Sequence, residues 1–141
     1  MNNSTDNKTK YRKVILPALI VFVIVNAVCI FWRVQLQERK IDVAVIQAGN
    51  TILFLISILA SYMHLKAVGN KNPHAFVRSV MGATVIKLFV IAGSILIYLF
   101  LAGKEKNIAG VFICMGLYIV YTIIEVKGAF KLNQDKSNGK N

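Results

Sequence analysis

Lys87 is the one charged residue standing deep inside a long apolar run, eight residues past Ser79 in a stretch dominated by aliphatic and aromatic side chains. Eight helical residues span about 12 Å, a depth in hydrocarbon at which an ammonium group costs several kcal/mol unless it snorkels or finds a partner. An acid is available. Cys114, Tyr118, Tyr121 and Glu125 recur at spacings of 4, 3 and 4, so they share one face of a later helix. On neighbouring helices that run in opposite directions, Lys87 and Glu125 lean toward each other. The expectation is a Lys87–Glu125 interaction that the Tyr121 hydroxyl can bridge, with an anionic lipid phosphate as the competing partner for Lys87.

Two further stripes accompany this pair. Ser79, Ala83, Lys87, Val90, Ser94 and Tyr98 line one face of the Lys87 segment, and Gln47, Asn50, Phe54, Ser57, Ser61 and His64 follow one another at 3, 4, 3, 4 and 3. In hydrocarbon such a polar stripe must face protein, because an unsatisfied amide there costs several kcal/mol. It serves either as interhelical hydrogen-bonding contact or as the lining of an ion or water path. Lys87, Glu125, Tyr121, Tyr118, Gln47 and Asn50 form the candidate intramembrane cluster. One acid and one base neutralise each other, and the spans supply no second carboxylate for a cation cage.

Other chemistry finds little support. His64 and His74 stand ten residues apart with no HxxxH, CxxC or HExxH beside them, so both are expected to face headgroups and no metal site is expected. The chain has neither a Gly-rich phosphate loop nor a GxSxG nucleophile, and no enzyme or cofactor is expected. Cys29 and Cys114 fit buried free thiols better than a disulfide. Asn26 calls for a partner on another helix.

These residues must be positioned by membrane-spanning helices. The chain has 141 residues, of which 56% are hydrophobic and 16% charged, too apolar for a soluble domain, which is about a quarter charged. Four apolar runs occupy residues 14–32, 43–65, 79–102 and 108–126, each about the length needed to cross the hydrocarbon. Backbone groups inside lipid must be satisfied within the segment, so runs this long are helices. The expected fold is all-α, a 14–126 antiparallel bundle of four transmembrane helices, with a mobile basic tail at 1–13 and a basic, mostly mobile tail at 127–141. Asp42, Asn72-Pro73 and Asn107 read as helix starts, and Gly69 and Gly103 as stops. Span 1 lacks a small-x-small cleavage site and has Val28 before Cys29, so it reads as a retained helix rather than a signal peptide or lipoprotein leader.

Eleven Lys and Arg fall in the two tails and the 66–78 connection, and five (Arg33, Arg39, Lys40, Lys104 and Lys106) on the opposite side. The positive-inside rule therefore predicts that both termini are cytoplasmic. The net charge of +11 mostly flanks apolar spans, which favours membrane lipids over nucleic acid as its partner, with Lys66, Lys71 and Arg78 as candidate headgroup contacts.

The stretch Asn-Lys-Asn-Pro-His-Ala-Phe-Val-Arg-Ser-Val-Met-Gly at 70–82, followed by Lys87 and by Gly-Leu-Tyr-Ile-Val-Tyr-Thr-Ile-Ile-Glu-Val at 116–126, resembles small four-helix membrane proteins of the ATP synthase protein I-like group, particularly those of Bacteroidetes-type bacteria. The resemblance covers residues 43–133. It implies a bacterial inner-membrane accessory of the F-type ATP synthase that assists assembly of its membrane ring, with divalent-cation supply also suggested for the group. It implies no catalytic residues, and it places polar contacts at Arg78, Lys87, Tyr118, Tyr121 and Glu125. A homo-oligomer is the natural form of the alternative, a small ion or proton carrier built on Lys87 and Glu125.

Overall fold

The computed structural model describes residues 3–68 and 72–138. The expected helix stop at Gly69, the headgroup contact at Lys71, and the ends of both tails (1–2 and 139–141) lie outside the described residues. The described chain is helical, with no strand: α1 (Asn3–Phe31), α2 (Arg33–Glu38), α3 (Val43–Val68), α4 (Pro73–Leu101) and α5 (Ile108–Asn138). Four helices are long and apolar enough to cross a membrane, over Lys8–Phe31, Val43–Val68, His74–Leu101 and Ile108–Asp135.

The helices outrun the apolar segments. α1 continues through residues assigned from sequence to the N-terminal tail, α4 begins at Pro73 rather than Ser79, and α5 runs to Asn138. Hydropathy marks only the part suited to hydrocarbon, whereas a helix continues wherever its backbone bonds and one packed face persist. For α3, α4 and α5 that face exists. Val68, Phe76 and Ala129 form a buried cluster with Val80 against it, and Phe76 meets Phe130 edge to face at 5.5 Å.

Local chemistry sets the helix ends. The Asp42 carboxylate accepts from the Ala44 N–H at 2.9 Å, and the Asn72 side chain accepts from the His74 N–H at 3.1 Å with Pro73 opening the helix. The 33–42 connection is partly helical. It closes with Lys40 at φ 57°, the Lys40 N–H on Gln37 O and the Ile41 N–H on Leu36 O. That is a Schellman ending with lysine in the position glycine usually takes.

α3 is the hub, packing against α1, α4 and α5, while α4 barely touches α5. Ala18, Leu53, Ile91 and Tyr121 form a central layer contributed by the four long helices. Cys29, Val43 and Ile46 form a second layer, and Val68, Phe76 and Ala129 the third. Two glycines allow α5 to lie close on α3. A Cβ at Gly49 would collide with Cys114 Sγ, and one at Gly110 would meet Asn107 Oδ1 at 2.8 Å and Val45 Cγ1 at 3.1 Å.

Candidate functional site

Between the central layer and the Phe76 end, three helices place polar and ionisable groups in contact. α4 supplies Lys87, α3 supplies Ser57 and His64, and α5 supplies Glu125. Lys87 Nζ donates to Glu125 Oε2 at 2.6 Å and to Ser57 Oγ at 2.9 Å, and His64 Nε2 lies 3.2 Å from Glu125 Oε1. Lys87 is 1% exposed, His64 2% and Glu125 7%. Burial without partners would be prohibitive for the Lys87 ammonium and the Glu125 carboxylate, so each carboxylate oxygen receives a donor and the ammonium finds an anion and a hydroxyl. Lys87 Nζ also stands 5.9 Å from the centroid of the Tyr121 ring, within cation–π range.

One step toward the central layer, the Tyr121 hydroxyl donates to Asn50 Oδ1 at 2.8 Å, and Asn50 Nδ2 reaches Phe22 O of α1 at 3.3 Å. Tyr121 is 1% exposed and Asn50 fully buried. Asn50 thereby ties α1, α3 and α5 together, as Glu125 ties α3, α4 and α5. Phe22 and Phe54 stack beside this junction at 4.6 Å.

Of the six residues expected in the cluster, Lys87, Glu125, Tyr121 and Asn50 lie in these two linked groups. Gln47 does not. It is half-buried beside Cys29, Arg33, Gln37 and Asp42, lining a separate polar recess at the α1–α3 end. Tyr118 packs its ring against the central apolar layer, and its carbonyl accepts from the Thr122 hydroxyl.

Two participants were not anticipated in these roles. Ser57 was visible only as a member of a stripe, and His64 was expected at the headgroups. His64 is instead enclosed and turned onto Glu125, because the bundle remains packed as far as Val68 and covers that end of α3. The signal was its place in the 3–4 spacing after Ser57 and Ser61. The expectation for Asn26 is corrected too: its amide donates to Phe22 O of its own helix at 2.8 Å, an i to i−4 bond that needs no second helix. Lys66 and Arg78 are exposed, and Cys29 and Cys114 are buried free thiols.

With Glu125 ionised, its bond to Nε2 requires the hydrogen there, leaving Nδ1 of a neutral His64 as an acceptor. The cluster then holds one cation and one anion in contact, with a neutral imidazole beside them. Among the described residues no three His, Cys, Asp or Glu side chains converge as metal ligands.

A different polar device closes the far end of α4. The Asn107 N–H donates to the Tyr98 hydroxyl at 2.9 Å, Asn107 Nδ2 to Lys40 O at 2.6 Å, and Asn107 Oδ1 caps α5 by accepting from the Gly110 N–H at 2.7 Å. Between this latch and the charged cluster runs an apolar groove, lined by Val45, Gly49, Ile91, Ile95, Tyr98 and Cys114 among others. No known protein family, curated protein or solved structure matches the chain.

Proposed function

We propose that this protein is a non-enzymatic accessory or assembly factor of a bacterial inner membrane, and that its partners are the membrane-sector subunits of an F-type ATP synthase. In this reading the four long helices cross the bilayer alternately in direction with both termini cytoplasmic, as the Lys and Arg asymmetry supports. Exposed Lys66 and Arg78 then meet anionic headgroups.

The observation that carries the proposal is the division of the surface. The strongest polar groups close on one another inside, while α4 presents Leu88, Phe89, Ile97 and Phe100 outward, with Phe89 72% and Phe100 86% exposed. Such a surface can meet lipid or other apolar helices, and the sequence resemblance supplies the identity of those helices. Affinity capture from gentle detergent should recover ATP synthase membrane subunits. Recovery of this chain alone counts against the reading.

The contiguous titratable groups Lys87, Glu125 and His64 favour a second reading, a small proton or ion carrier active as a homo-oligomer. It requires flux in protein-loaded liposomes above empty ones, abolished by Lys87→Met in protein that remains folded.

A further inference from the structure

Two side-chain polar atoms among the described residues are buried without a hydrogen-bond partner, His64 Nδ1 and Ser79 Oγ. The pairing of α3 with α4 puts them at one level. Ser57 bonds Lys87, and eleven residues further along α3 and eleven back along α4, Val68 packs with Phe76. By the same register His64 stands opposite Val80, the neighbour of Ser79. The two atoms are chemically complementary: in the neutral imidazole tautomer whose Nε2–H donates to Glu125, Nδ1 is an acceptor, and a serine hydroxyl can donate or accept. They are not bonded to each other.

We propose that His64 Nδ1 and Ser79 Oγ together bind a water molecule, which extends the Lys87–Glu125–His64 chain of hydrogen bonds toward the Phe76 end of the bundle. One O–H of the water donates to Nδ1, and its oxygen accepts from the Ser79 hydroxyl. Leaving a buried polar group unsatisfied is costly, and internal waters are retained where they meet such a need. The charged cluster is thereby hydrated from one side. On the other side fully buried Leu53 and the apolar groove separate it from the recess at Gln47. The site is independent of the partner proposed above.

The test is solid-state NMR of the full chain, labelled with ¹⁵N-histidine and reconstituted in bilayers of phosphatidylcholine and phosphatidylglycerol, measuring magnetisation transfer from water to the imidazole nitrogens. Exposed His74 is the internal reference. The expected result is transfer to His64, lost in Ser79→Ala, retained in Ser79→Thr, and unchanged at His74 throughout. Transfer to His74 without transfer to His64 in the unaltered protein overturns the proposal, a decision that needs no variant to fold. Undiminished transfer to His64 in Ser79→Ala overturns it as well. So does an Nδ1 resonance that responds to Ser79→Ala without any water transfer, the mark of a direct Ser79–His64 bond.

Discussion

The two halves of the interface that α3 makes with α4 and α5 are built on different principles. Toward the Phe76 end, Lys87, Glu125, His64 and Ser57 join three helices through directed, charge-assisted bonds. Toward the Asn107 end, the same helices leave an apolar groove, α5 settles on α3 through Gly49 and Gly110, and α4 is held by the Tyr98–Asn107 bond. The difference shows how an apolar chain fixes its register. Hydrocarbon gives little drive for one apolar helix to choose a particular neighbour, so orientation comes from polar groups that must pair and from small residues that permit close approach. α4 depends most on the first device, because it has few contacts with α5 to support it.

Breaking the charged half should produce the largest effect. Lys87→Met leaves Glu125 buried beside His64 without its cation, a loss of about 3–5 kcal/mol. Denaturation in detergent should show that loss, and Lys87→Met with Glu125→Gln should recover part of it, the non-additivity expected of contacting residues. Purely additive effects would mean the pair is not formed in the membrane.

The groove half should respond to volume instead. Gly49→Ala drives a methyl into Cys114 Sγ and should cost about 1–3 kcal/mol, relieved by adding Cys114→Ala. A midpoint measurement on the single and double variants checks both signs. Asn107→Ala removes the α5 cap and the bond to Lys40 O while keeping the backbone donor to Tyr98, an expected loss of about 1–2 kcal/mol in the same assay.

Phe100→Ala, on the bare face of α4, should shift the stability of the isolated protein by no more than about 0.5 kcal/mol. If that face docks on other helices, the same substitution reduces their recovery in affinity capture. Equal recovery would direct attention to another face.

His64 and Gln47 illustrate what could be read before the fold was known. Both lie in one stripe at helical spacing, and the stripe identifies the inward side of α3: Asn50, Ser57, Ser61 and His64 are all buried along it. Spacing cannot say where along the stripe neighbouring helices cover it. Gln47 falls beside a polar recess at the α1–α3 end, while His64 is sealed by Val68, Phe76 and Ala129. The partner that matters to His64 lies 61 residues away on another helix.

The amino-acid sequence by itself determined the apolar stretches of the four long helices, the caps at Asp42 and Asn72 and the suitability of those helices for a membrane, because capping and apolar length are properties of contiguous residues. It also exposed Lys87 and Glu125 as groups that hydrocarbon would not tolerate alone. Only the tertiary structure decided that His64 and Ser57 complete their coordination, that Asn26 turns back on its own helix, and that Gln47 and Tyr118 stay outside. Those outcomes depend on helix rotation and on the depth at which neighbours meet, both set by packing between segments far apart in the chain.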